Sequence, residues 1–179
     1  MTIAAAAVST GRSWRVSPPA SGSAGVRSLL IHGATGAGKT YLACALAHQA
    51  CRAGLSAWYV RAPRLFEELN LCHADGTFRK RLAAIAKIQL LVIDDFAISP
   101  IGPRERNDLL ELLDDRVGSR ASILASQLPI EHWHEYLNDP TVADAIMDRL
   151  IHGSHKIHLQ GKESMRKRNG HAGKDGAKS

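Results

Sequence analysis

Residues 28–40 read Ser-Leu-Leu-Ile-His-Gly-Ala-Thr-Gly-Ala-Gly-Lys-Thr, and this stretch decides the fold. The apolar run at 29–31 is typical of a buried strand, and the spacing over 41–53 predicts a helix. Between them, Gly33 and the Gly-Lys-Thr triplet at 38–40 match a phosphate-binding loop at every fixed position. Glycines allow the backbone to wrap closely around an anion, and the N-terminus of the following helix adds partial positive charge. The stretch therefore predicts a nucleotide-binding loop.

The loop also predicts separate tasks for its side chains. We expect Lys39 to bridge the β- and γ-phosphates of a nucleotide and Thr40 to offer its hydroxyl to Mg²⁺. ATP and Mg²⁺ are thus the predicted cofactors. The candidate nucleotide-binding residues are Gly33, Ala34, Thr35, Gly36, Ala37, Gly38, Lys39 and Thr40.

Length and composition are those of one globular domain, with 179 residues and 45% hydrophobic residues. No apolar run approaches the roughly 20 residues that span a bilayer. The short apolar stretch near the start lacks the basic lead-in of a signal peptide. We therefore expect a cytoplasmic protein without a membrane partner. The cysteines, Cys44, Cys51 and Cys72, lack the paired spacing of a metal site.

Positive charge is concentrated at the two ends of the chain, whose net charge is +6. Residues 1–27 carry three arginines and no acid, and residues 161–179 carry six Lys/Arg and two acids. Such tails often contact nucleic acid, although composition equally allows two solvated tails. We expect an irregular segment over 1–27, a nucleotide-binding core over 28–160 and a basic tail over 161–179.

Strand-like and helical patterns alternate through the core. Further strands are predicted at 57–60, 90–93, 122–126 and 156–159, and helices at 62–72, from 78, at 104–117 and from 140. In the helix at 104–117, we expect four residues to point inward: Leu109, Leu110, Leu113 and Val117. The alternation predicts an α/β fold of the P-loop NTPase type, a three-layer parallel sheet with helices on both faces. Ligands of such sheets bind at the carboxyl ends of the strands.

Candidate catalytic side chains lie just after two of these strands and on the helix that begins at residue 140. Asp94 is the candidate second holder of Mg²⁺, and Asp95 would orient or deprotonate an attacking water. Gln127 would bond the γ-phosphate or that water, or be an ordinary loop amide. Arg149 is either a solvated helix arginine or an arginine finger inserted into a neighbour's nucleotide site.

Beyond the loop, the chain resembles the IstB-like transposition helper ATPases, relatives of the DnaC-type helicase loaders in the AAA+ class. The resemblance covers residues 28–168 and is most discriminating in Ser-Gln-Leu-Pro at 126–129 and in the stretch at 139–150. It implies an AAA+ ATPase core, with Asp95 as the second Walker B acid and Gln127 at the sensor 1 position. It also implies that Arg149 is the trans-acting finger and that Arg166 occupies the sensor 2 position.

The same resemblance implies a function and partners. It implies an ATP-binding and hydrolysing helper of insertion-sequence transposition that forms a homo-oligomer on duplex DNA, without sequence preference, and acts with a transposase. Family members usually carry an N-terminal helical domain that residues 1–27 do not resemble, so we expect a core without it. Four residues lie where this clade carries its DNA-facing insertion, and they are either phosphate contacts or a solvated basic face. They are Arg64, Arg79, Lys80 and Arg81.

Three alternatives remain open from the sequence. The first is a DnaC-type loader, with a replicative helicase as partner. The second is a small P-loop kinase, which would need an arginine-rich lid that the sequence does not show. The third is a truncated remnant that binds nucleotide with little turnover.

Overall fold

The computed structural model describes residues 28–160, which form a five-stranded sheet with helices on both faces. The strands are β1 (Leu29–Gly33), β2 (Ala57–Arg61), β3 (Leu90–Phe96), β4 (Ala121–Ser126) and β5 (His155–Leu159). The helices are α1 (Lys39–Arg52), α2 (Ala62–Asp75), α3 (Phe78–Ala86), α4 (Pro103–Asp114), α5 (Trp133–Leu137) and α6 (Pro140–Ile151). The predicted N-terminal segment and C-terminal tail, including Arg166, lie outside the described residues.

The strand order is β2-β3-β4-β1-β5, and every neighbouring pair is parallel. Parallel strands place all their carboxyl ends at one edge of the sheet, where loops lead into the helices. None of the helices within residues 28–160 is long and apolar enough to cross a membrane. The predicted α/β fold is confirmed.

The sheet separates two apolar layers because successive side chains of a strand face opposite sides. On one side, Leu29 and Ile31 of β1 share a cluster with Ala43 and Ala50 of α1. On the other side, Leu30 joins a larger cluster that includes buried residues of α2, α3, α4, α5 and α6. Within residues 28–160, one helix therefore covers one face of the sheet and five cover the other, which gives three layers.

Helix α4 ends at Asp114, three residues before the end that the sequence pattern predicts. Val117, expected to point inward, is 54% exposed, and the neighbouring Arg116 takes the interior place. Its guanidinium donates to three backbone carbonyls and to the hydroxyl of Ser122. Those carbonyls belong to Ile85, Ile88 and Ala121. Burial lowers the pKa of Arg116 to about 10, and the charge of Arg120 acts in the same direction.

A 3₁₀ turn (Ile130–His132) and α5 occupy a stretch for which the sequence predicts no regular element. Trp133 fixes this segment, because its ring is fully buried and its Nε1 donates to the carbonyl of Leu128 at 3.0 Å. The rings of Trp133 and Phe96, the last residue of β3, pack in a T-shaped arrangement with 4.8 Å between their centroids. The segment thus packs against the end of a central strand.

Gly33 lies where β1 and β5 approach too closely for a side chain. A Cβ at this position would lie 2.3 Å from the carbonyl oxygen of Leu159, and its φ is +153°. At Gly54, with φ +81°, an added Cβ would meet no atom within 4 Å. Both glycines adopt a positive φ, but of the two only Gly33 lies where an added side chain would also clash with a neighbouring strand.

We expect Gly33→Ala to lower the free energy of unfolding by about 3 kcal/mol, because the methyl group must push β5 away from β1. Gly54→Ala should lower it by about 1 kcal/mol, the penalty for a left-handed backbone alone. Urea unfolding of both variants measures the difference. Equal losses would contradict a clash at Gly33.

Candidate nucleotide-binding site

The glycine-rich loop joins β1 to α1 and encloses the side chain of Lys39. Gly36 and Gly38 adopt positive φ angles of 80° and 94°, which glycine reaches without strain. Lys39 is buried, with 7% of the residue exposed. Its ammonium group donates to the carbonyl oxygens of Gly33 at 2.7 Å and Ala34 at 2.9 Å. Burial lowers the pKa of Lys39, while the negative charges of Asp94 and Asp95 raise it.

Asp94, at the end of β3, is buried and held by three hydrogen bonds. Its Oδ2 accepts from the Thr40 hydroxyl at 2.7 Å and from the Tyr59 hydroxyl at 2.7 Å. Its Oδ1 accepts from the backbone N–H of Asp95 at 2.9 Å. Burial, followed by the hydrogen bond to Asp94, raises the pKa of Tyr59. Hydroxyl and carboxylate oxygens are the ligands that Mg²⁺ prefers, so Thr40 and Asp94 fit this ion.

Asp95 is presented differently, because β3 is irregular at its end. The register between β3 and β4 shifts between Ile93 and Phe96, and Asp95 has a φ of +52°. Irregularities of this kind redirect side chains at the end of a strand. The Asp95 carboxylate accepts from Nε of Arg61, the last residue of β2, at 2.6 Å.

Gln127 lies just beyond β4 and contacts the glycine-rich loop directly. Its Oε1 accepts from the hydroxyl of Thr35 at 2.6 Å. The preceding residue, Ser126, donates from its hydroxyl to the carbonyl of Phe96 at 2.6 Å and thereby ties the ends of β3 and β4 together. The fold thus brings the loop, both aspartates and Gln127 to one edge of the sheet, as the sequence predicts.

Arg149 is not brought to this edge. It lies on α6, where its Nε pairs with the carboxylate of Asp114 and its Nη1 donates to the carbonyl of Ala145 at 2.8 Å. It lines a small pocket together with Ser28 and Ser122, which lie where β1 and β4 begin. Arg149 therefore lies at the amino ends of the strands, whereas the nucleotide loop of its own chain lies at their carboxyl ends.

The four candidate DNA contacts divide into two pairs. Arg79 and Lys80 are exposed on α3. Arg64 pairs with Glu67 at 3.1 Å. Arg81 pairs with Glu68, and its guanidinium carbon lies 4.8 Å from the centroid of a Trp58 ring. Arg79 and Lys80 are thus the better placed of the four to meet an external phosphate.

Tyr59 and Arg61 are site residues that the sequence reasoning missed. They are two positions apart on β2 and so share one face of the strand. The pairing of β2 with β3 sets Arg61 opposite Asp94. The available signal was a polar pair at the end of a strand, but its meaning depends on knowing that β2 neighbours β3.

Comparison with known proteins identifies the family. The family model described as IstB-like ATP binding protein matches residues 25–172. The chain belongs to this family. An insertion sequence ATP-binding protein of Sinorhizobium fredii is 48% identical over 140 residues, which cover 78% of this chain and 57% of the relative. One from Mycobacterium tuberculosis is 34% identical over 135 residues, 75% of this chain and 54% of the relative.

This IstB-like chain spans about half the length of the relatives that it matches. Among solved structures, DnaI matches with a TM-score of 0.68 at 24% identity. The match covers 76% of this chain and 75% of the DnaI chain. The DnaC helicase loader has a TM-score of 0.65 at 16% identity, with 75% of this chain and 78% of that one covered. At such low identity these two likenesses show the fold alone.

We expect Tyr59→Phe to weaken the Mg²⁺-dependent binding of ATP by about tenfold, because Asp94 loses a hydrogen bond that orients its carboxylate. Titration of a fluorescent ATP analogue at increasing Mg²⁺ concentrations measures the change. Tyr136→Phe is the matched control, since that hydroxyl donates to the carbonyl of Ser99 at 2.9 Å, away from Asp94. The same Mg²⁺ dependence in both variants would contradict a role for Tyr59.

Proposed function

We propose that this IstB-like chain binds ATP with Mg²⁺ and hydrolyses it as a helper of insertion-sequence transposition, with DNA and a transposase as partners. The observation that carries the proposal is the contact between the Thr40 hydroxyl and Asp94 beside the buried Lys39 ammonium. This arrangement matches the needs of a triphosphate and its metal ion. The insertion-sequence relatives favour a transposase over a replicative helicase as the partner.

The proposed reaction assigns a task to each side chain at the sheet edge. Lys39 binds the β- and γ-phosphates, and Thr40 and Asp94 hold Mg²⁺, which when bound neutralises phosphate charge. The attacking water forms a bond to the γ-phosphorus and gives its proton to Asp95. The bond to the β–γ bridging oxygen breaks, and ADP leaves with its electron pair. Gln127 orients the water or the γ-phosphate.

We also propose a homo-oligomer in which Arg149 of one chain completes the site of the next. Support comes from the position of Arg149, at the sheet edge opposite its own loop, with its side chain partly exposed. A head-to-tail contact between copies joins two different faces of the same chain. Such a contact can bring the Arg149 edge of one copy to the loop edge of another.

We expect Arg149→Ala to reduce kcat by about a thousandfold or more, because transition-state charge loses its guanidinium partner. Binding of a fluorescent ATP analogue should be unchanged. Arg104→Ala, which removes an exposed arginine of α4, is the matched control and should retain turnover.

Mixing the inactive variants Lys39→Ala and Arg149→Ala tests whether the finger acts in trans. A site built from the loop of one variant and Arg149 of the other is intact, so about a quarter of the sites should recover in an equal mixture. A mixture as inactive as its components would contradict completion by a neighbour. Wild-type turnover no higher than that of Lys39→Ala would indicate nucleotide binding without hydrolysis.

For DNA, we expect the double variant Arg79→Ala/Lys80→Ala to weaken binding about tenfold in low salt. The slope of the logarithm of the binding constant against the logarithm of the salt concentration should become shallower by about two. Arg64→Ala/Arg81→Ala should have the smaller effect, because those guanidinium groups already pair with carboxylates. Fluorescence anisotropy with a labelled duplex at several salt concentrations measures both. Equal effects of the two double variants would contradict the assignment.

A further inference from the structure

A small pocket at the amino ends of β1 and β4 concentrates positive charge away from the nucleotide loop. Its polar lining consists of three arginines, one histidine and two serines, namely Arg116, Arg120, Arg149, His152, Ser28 and Ser122. Among the described residues, no carboxylate lines it. We propose that this pocket is an anion-binding site for a phosphate group, with Arg120 as its principal donor.

Arg116 brings a charge into the pocket without a counter-charge. The residue is 1% exposed, and its guanidinium donates to three backbone carbonyls and to the Ser122 hydroxyl. All of these acceptors are neutral, and together they use four of the five N–H groups that a guanidinium carries. Within residues 28–160, one N–H of Nη2 and the positive charge itself are therefore left for a further partner.

Arg120 adds a second charge and an unused donor. Its Nη1 donates to the carbonyl of Ser119 at 3.0 Å, whereas its buried Nε has no acceptor within residues 28–160. A buried N–H without an acceptor is unfavourable, because it has lost its hydrogen bond to water. The charge of Arg120 also lowers the pKa of Arg116, so the two guanidinium groups repel each other. An anion bound between them removes both penalties.

The other two basic side chains of the pocket already have acidic partners. Arg149 pairs with Asp114, and Nδ1 of His152 lies 2.7 Å from the carboxylate of Asp148. The charge that no acid of residues 28–160 balances is therefore that of the two arginines that flank β4.

The size of the pocket and the chemistry of its donors decide the class of ligand. Its volume is about 40 Å³, whereas pockets for larger organic ligands measure roughly 300–1,000 Å³. Guanidinium N–H groups suit the oxygens of phosphate. The Ser28 hydroxyl accepts from the backbone N–H of Ser122 at 3.3 Å and keeps its own proton to donate. The ligand is thus a single phosphate group, either free phosphate or the terminal phosphate of a nucleotide held by a second copy.

Titration with inorganic phosphate tests the site. The full chain carries Lys39→Ala, so that phosphate does not bind at the nucleotide loop, and chloride keeps the ionic strength constant. We expect calorimetry to show saturable binding that Arg120→Gln weakens about tenfold, the loss of a charged hydrogen bond. Arg104→Gln, which alters an exposed arginine in the first turn of α4, is the matched control and should bind phosphate like its parent.

Thermal unfolding separates phosphate binding from a purely structural role of Arg120. Without phosphate, Arg120→Gln should be at least as stable as its parent, because the repulsion of Arg116 and the unpaired Nε are both removed. With saturating phosphate, the parent should gain more in Tm than the variant. Equal phosphate affinity in parent and variant, or no saturable binding in the parent, would overturn the anion site. If Arg120→Gln does not fold, Ser28→Ala serves instead and should weaken binding about threefold.

Turnover distinguishes the two sources of the phosphate group. If the group belongs to a neighbour's nucleotide, Arg120→Gln should lose turnover, and mixing with Lys39→Ala should restore about a quarter of the sites. If it is free phosphate, Arg120→Gln should lose phosphate binding and keep the wild-type kcat. Only this choice of source rests on the proposed function. A wild-type chain without turnover would refute that function, while the calorimetric test of the pocket would still stand.

Discussion

A buried lysine ammonium is the constraint on which the nucleotide site depends. Lys39 is almost out of reach of water, and the acceptors of its hydrogen bonds are the neutral carbonyl oxygens of Gly33 and Ala34. Taking a charge out of water is unfavourable unless an opposite charge compensates for it. Asp94 and Asp95 are the nearby negative charges, but burial lowers the pKa of Lys39 by more than they raise it, and no carboxylate among residues 28–160 forms an ion pair with it. The site is thus prepared for an anion from outside.

The arrangement around this lysine follows from the sheet. Parallel strands bring the ends of β1, β3 and β4 to one edge, and the irregularity at the end of β3 presents two successive carboxylates there. These carboxylates differ in their freedom, because Asp94 is fixed by Thr40 and Tyr59 whereas Asp95 is held by Arg61. Arg149 lies at the opposite edge. This separation is what the proposed completion of the site by a second copy requires.

Local patterns made the loop, the strands and most helices predictable from the sequence. The loop motif singled out Lys39 and Thr40, and the ends of β3 and β4 drew attention to Asp94 and Gln127; the roles of these residues stay predictions. Contacts that depend on strand order were not predictable: the bonds of Tyr59 and Arg61 exist because β2 lies beside β3. Helical periodicity also could not foresee that α4 stops early and that the buried guanidinium of Arg116 replaces Val117 inside. The finger role of Arg149 stays a prediction, since a single chain contains one edge of the proposed contact.

The most direct test of completion by a second copy is a cryo-EM structure of the assembled chain with Mg²⁺ and a non-hydrolysable ATP analogue. We expect the Arg149 guanidinium of one subunit to lie within about 3 Å of the γ-phosphate bound at Lys39 of the next subunit. We also expect the Thr40 hydroxyl and the Asp94 carboxylate to meet the metal ion. An Arg149 that still pairs with Asp114 of its own chain, far from any nucleotide, would contradict completion of the site by a neighbour.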